Sequence, residues 1–206
     1  VAGLVSSTNA TLTFARLSRQ HQVPPHTLAA GTIAACTVLF PRVILATAVL
    51  DVRVAAALLP YAAGPFALGA LVVAAWLRSN RHPDACAGLA PNPLQLGPAL
   101  QMAATFQIVL FLVALVRSSF GQTGLLLTGA VLGLTDVDAL TISMAKAATD
   151  VTPRIAAHAI CIGIIANSLM KAAIALVVGS REFGRLTAAA LAAMTAALIA
   201  TVGAVR

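Results

Sequence analysis

The stretch VAAALLPYAAGPFALGALVVAAWL, Val54 to Leu77, contains no charged side chain. As a helix rising ~1.5 Å per residue it would extend ~36 Å, enough to cross a ~30 Å hydrocarbon core with some tilt. Its Pro60, Gly64 and Pro65 predict a kinked or partly unwound first half, and Trp76 beside Arg78 fits an interfacial anchor. The rest of the chain has the same character. Of its 206 residues 60% are hydrophobic and 9% charged, with mean hydropathy +0.95. A water-soluble domain carries about 25% charged residues, so this composition excludes one. It predicts an all-α polytopic transmembrane helix bundle.

Working outward, apolar runs recur at Val1 to Leu17, His26 to Leu50, Pro98 to Val116, Thr123 to Ala147, Arg154 to Val178 and Leu186 to Val205. With Val54 to Leu77 they give about seven helices in a single integral domain, 1–206. The first run is short for a crossing, and the chain opens Val-Ala-Gly, so a segment N-terminal to it is expected. Residues 79–97, with three prolines, read as the polar connection between a first half (about 1–78) and a second (about 98–206).

Thirteen Lys+Arg against six Asp+Glu give +7. The basic residues sit mostly at the ends of apolar runs, as topology signals do, and this pattern argues against a nucleic-acid surface. Continuous alternation of seven crossings groups Arg16, Arg19, Arg78, Arg81, Lys146, Arg154 and Arg206 on one side, predicting a cytoplasmic C-terminus. Cys36, Cys86 and Cys161 show no CxxC spacing and read as packing residues.

GLVSSTNATLTFAR, Gly3 to Arg16, lies over GLTDVDALTISMAK, Gly133 to Lys146, without a gap. One deletion later Pro24 meets Pro153, Ile33 meets Ile162, Arg42 meets Lys171 and Ala46 meets Ala175. The chain therefore reads as duplicated. Four counted crossings between the copies predict parallel repeats about an axis along the membrane normal.

Chemistry concentrates where ionisable groups fall inside apolar runs, because burying a charge there costs at least ~2.5–3.5 kcal/mol. Asp136 and Asp138 are the sharpest case. Two positions apart on a helix they point to opposite sides, so either the Gly133-Leu-Thr segment is unwound or the two acids serve different neighbours. Thr135, Asp138 and Thr141 form one stripe; Gly163, Asn167 and Lys171 form another. In the first half Ser6, Ser7, Thr8, Asn9, Thr11 and Thr13 occupy positions matching the acidic motif. The expected polar centre is Asp136, Asp138, Thr135, Thr141, Asn167, Ser7 and Thr8, with Lys171 and Arg42 balancing charge. Its oxygen donors suit a divalent cation such as Mg2+, with Asp136 and Asp138 as metal ligands, or a coupled proton. Helix-register glue is the competing reading. His158, about one turn inside its run, is expected near the headgroups. No HExxH, GxSxG, Walker A or GxGxxG motif occurs, and no enzyme is expected.

GLVSST with its following threonines and AR, NPLQL, GLTDVDALTISMAKAA and ANSLMKAAIALVVG together resemble one family: the uncharacterised multi-pass domain found C-terminal to MgtC/SapB membrane domains of bacteria. The resemblance implies a bacterial inner-membrane bundle and a link to magnesium-related physiology, without an activity to carry over. The lipid bilayer is the expected partner, and a homodimer is plausible on symmetry grounds alone. The function expected is a transporter or channel unit for a small cation; the alternative is a non-transporting interaction or regulatory module.

Overall fold

The computed structural model describes residues 7–20, 23–79, 129–134, 136–147 and 152–204. These form an all-α bundle: α1 (Ser7–Ser18), α2 (Pro25–Leu50), α3 (Val52–Ser79), a helical stretch 129–134, α4 (Val137–Ala147), α5 (Pro153–Val178) and α6 (Arg181–Ala204). No strand occurs among the described residues. The four helices α2, α3, α5 and α6 are long and apolar enough to cross a membrane, and the chain is a membrane protein. The expected run Pro98 to Val116 and the 80–97 connection lie outside the described residues.

Several threonine hydroxyls inside these helices are satisfied locally, as a bilayer favours. The hydroxyls of Thr32, Thr37 and Thr47 donate to the carbonyls of Leu28, Ile33 and Val43, one turn earlier. Proline opens both α2 and α5, where its missing N–H costs nothing. The expected unwinding of the first half of α3 does not occur: the helix is continuous through Pro60 and Pro65. Pro65 cannot donate to the Tyr61 carbonyl, but the Thr201 hydroxyl of α6 lies 3.1 Å from it, sharing its single proton between that carbonyl and Leu198 O of its own helix at 2.8 Å. A neighbouring helix thereby repairs the gap in the ladder.

Two hairpins frame the bundle. Asp51 alone separates α2 from α3, and Gly179 and Ser180 separate α5 from α6. Asp51 closes one helix and caps the next. Its N–H donates to Thr47 O (2.7 Å), and its Oδ1 accepts the Arg53 N–H (2.8 Å).

Contact registers fix the relative directions. A side chain added at Gly64 would meet Thr201, and one at Gly69 would meet Met194, so α3 and α6 are antiparallel. It follows that α2 and α5 are antiparallel as well. One face of the bundle, face I, gathers the α1–α2 link, the end of α3 and the α5–α6 turn. There the Ser18 hydroxyl accepts the Ser180 N–H (2.8 Å), and Arg19 donates to the carbonyls of Val177 and Gly179. Face II carries Asp51, the start of α5 and the end of α6.

The repeat is thus inverted. Matching α1, α2 and α3 to α4, α5 and α6, most packing partnerships in one half have their exchanged counterpart: α1 lies on α2 and α5, α4 on α5 and α2, and α3 lies on α6. This corrects the parallel orientation expected from counting crossings. It also separates the start of α5 and the end of α6 from the α1–α2 link, with which they had been grouped.

The miscount arose in the run Thr123 to Ala147. Gly129 packs against Ala159 and Gly133 against Gly163, so 129–134 runs alongside α5, away from face II. The Leu140 side chain also lies against Gly163, and α4 must end within reach of Pro153 at face II. The chain therefore reverses at Asp136, and α4 returns to the side it came from. The glycines are essential here. A Cβ at Gly133 would strike the backbone of Gly163, and a Cβ at Gly163 would strike the Leu140 side chain. Behind this contact lies the core, where Leu58, Tyr61, Leu140, Met144, Ile160 and Leu198 are buried.

Candidate functional site

The reversal at Asp136 creates the candidate site. Asp136 is not helical. Its N–H closes the preceding turn on Leu132 O (2.7 Å), and its carbonyl receives the Leu140 N–H (3.2 Å). Its Oδ1 accepts the Asp138 N–H at 2.8 Å, so Asp136 is the N-cap of α4. The geometry repeats that of Asp51 before α3. A carboxylate here also complements the positive end of the α4 dipole.

Asp138, on the first turn of α4, points to another partner. Its Oδ2 accepts from Arg42 Nη2 of α2 at 2.5 Å, with the two side chains 28% (Arg42) and 38% (Asp138) exposed. Arg42 lies eight residues before the end of α2, ~12 Å from face II. The two aspartates therefore serve different neighbours, one the backbone and one an arginine.

Lys171 makes the corresponding contact in the opposite direction. It lies seven residues before the end of α5, ~10 Å from face I. Its Nζ donates to Ser7 Oγ, on the first turn of α1, at 2.7 Å. Lys171 is 1% exposed and buried inside the bundle. Arg42 and Lys171 are equivalent in the repeat, and each reaches from its own half to the short helix of the other.

The remaining expected residues divide. Asn167, one turn before Lys171, is 3% exposed, and its Oδ1 has no hydrogen-bond partner. The Thr141 hydroxyl is turned onto the Val137 carbonyl at 2.7 Å, which places it with the threonines that satisfy themselves within a helix. Thr8 is half-buried beside Ser7, and Thr135 lies outside the described residues. The structure brings Arg42 to Asp138 and Lys171 to Ser7. No group of three or more His, Cys, Asp or Glu is placed to hold a metal among the described residues.

Sequence reasoning missed Tyr61. This residue is 1% exposed, and its hydroxyl lies 3.2 Å from His158 Nε2, with ring centroids 5.3 Å apart. His158 is thus held by a core tyrosine. A tyrosine within an otherwise apolar run was the available signal, because a buried phenol needs a partner.

Residues 1–179 match the family described as "Domain of unknown function (DUF4010)". The match spans most of the chain, which belongs to this family. No curated protein matches it, and no solved structure does.

Proposed function

We propose, taking membership of this membrane domain family as the premise, that the protein is a transporter unit for a small cation, proton or divalent metal such as Mg2+. In this reading the cation competes with Arg42 for the Asp138 carboxylate. The observation that carries it is the Arg42–Asp138 pair, set where a re-entrant segment reverses between two inverted halves. Inverted repeats with interrupted helices and ionisable groups near mid-membrane are the usual architecture of secondary transporters. Arg42 serves as a resident counter-ion: it neutralises Asp138 when no cation is bound and withdraws when one arrives. Asp136 holds the start of α4 in place, and Thr141, three residues beyond Asp138, adds a hydroxyl oxygen to the same helix face.

The resemblance to the domain accompanying MgtC/SapB proteins supports a bacterial inner-membrane location. Among the described residues face I carries Arg16, Arg19, Arg78, Arg181 and Arg185, against Arg53, Lys146 and Arg154 toward face II. The positive-inside rule then directs face I to the cytoplasm and the C-terminal end of α6 outward, the reverse of the sequence-based expectation.

Flux into proteoliposomes under a Mg2+ gradient and under a pH gradient tests the function. The expected result is flux under at least one gradient, lost in a folded Asp138→Asn variant. Absence of both fluxes in the native protein would overturn the reading. The second reading, a non-transporting module, is favoured by one observation: both charged contacts tie one half to the other, as polar clips would. Absence of flux together with a large loss of stability in Asp138→Asn would support it.

A further inference from the structure

The two cross-half contacts occupy equivalent places, yet one cation has a carboxylate and the other does not. Arg42 meets Asp138. Lys171 meets only a hydroxyl, and no carboxylate lies within ion-pair distance of it among the described residues. It is also the more deeply enclosed of the two cations. A sealed ammonium in direct contact with no carboxylate, and reached by the Asp138 charge only across a longer distance beside Arg42, is costly, and such a group in a membrane bundle commonly marks a ligand position. One turn away, the buried Asn167 Oδ1 is an acceptor without a donor. The two groups make complementary demands. Lys171 Nζ calls for an anionic oxygen, and Asn167 Oδ1 calls for an N–H or O–H.

We propose that Lys171, Ser7 and Asn167 form a binding site for a small carboxylate, whose charged oxygens take at Lys171 the place that Asp138 holds at Arg42. This deepens the transporter reading by naming a second, anionic substrate, carried with the cation that visits Asp138. A carboxylate with a hydroxyl or amino group beside it satisfies both Lys171 and Asn167. Binding displaces the Ser7 hydroxyl from Nζ, loosening the contact between α1 and α5.

Equilibrium binding to the purified full chain in detergent tests the site independently of transport. The probes are acetate and glycolate at constant ionic strength, with chloride as control, read by thermal unfolding. Glycolate is expected to raise the melting temperature saturably, acetate to do so more weakly, and chloride to have no effect. Lys171→Met is expected to weaken glycolate binding about ten- to a hundredfold, as loss of a charge-assisted bond does. Asn167→Leu should remove the advantage of glycolate over acetate. Ser7→Asp supplies an internal carboxylate to Lys171 and should abolish binding while leaving the fold intact, so the test survives even if Lys171→Met fails to fold. Saturable binding unchanged in Ser7→Asp, or no response of the native protein to either carboxylate, would overturn the proposal. Carboxylate binding without cation flux would defeat the cation reading alone, and flux without carboxylate binding would defeat this one alone.

Discussion

The half built from α1, α2 and α3 and the half built from α4, α5 and α6 share a plan but divide their polar residues unequally. The first contributes Arg42, two helix-interior prolines in α3 and hydroxyls at the start of α1. The second contributes Lys171, no interior proline in α6, and two aspartates at the start of α4. The two halves share a packing plan while their charged residues differ. One crossed contact became a complete ion pair, and the other remained an ammonium on a serine.

The most damaging way to break the comparison is at the packing beside the reversal. Gly133→Ala should cost at least about 1–3 kcal/mol, or prevent folding, because the added methyl meets the Gly163 backbone. Gly203→Ala, with open space around it, should stay within about 0.5 kcal/mol. Thermal unfolding in detergent compares the two.

Next are the crossed cations. Arg42→Met leaves the Asp138 carboxylate unpaired and should destabilise by about 1–2 kcal/mol. That is less than a fully buried pair would lose, since both side chains are partly exposed. Combining it with Asp138→Leu should recover most of that loss, a coupling that a double-mutant cycle measures. Lys171→Met should behave oppositely and be neutral or stabilising in the absence of any carboxylate, since it removes a sealed charge without orphaning a partner ion. Equal losses for Arg42→Met and Lys171→Met would erase the proposed asymmetry.

The smallest effect belongs to the hairpin turns. Asp51 stands where the other half has Ser180. The Arg53 side chain, and then its backbone N–H, hold the Asp51 carboxyl below the usual carboxylate range. A carboxylate with a lowered folded pKa contributes stability above its unfolded pKa of about 3.9 and loses it as pH falls through the folded value. The native protein should therefore weaken slightly in acid below about pH 4. Asp51→Ser should flatten that slope, as pH-dependent unfolding would register.

Much of this was legible in the sequence. The long helices announced themselves by uncharged length, and Arg42, Asp136, Asp138, Asn167 and Lys171 stood out because ionisable and amide groups are rare in apolar runs. The repeat was readable from Gly3 to Arg16 against Gly133 to Lys146. Its orientation was not, because a hydrophobic run has no direction: Thr123 to Ala147 has the length of a crossing, and only the packing of Gly129 and Gly133 on α5 reveals a chain that turns back. The partner of Lys171 was equally hidden. Residues 7 and 171 come together through the packing of α1 on α5, which no pattern in the sequence announces. The Thr201 hydroxyl on the Tyr61 carbonyl left no sequence signal, since only tertiary packing selects which threonine repairs a proline gap.

The shortness of the two hairpin links has a mechanical consequence. With one residue between α2 and α3 and two between α5 and α6, neither long helix can swing without carrying its neighbour, so each hairpin behaves as a stiff paddle. The stubs α1 and α4 each lie against both paddles and carry the side chains that clasp Lys171 and Arg42. Any rocking of the bundle therefore pulls directly on those two clasps.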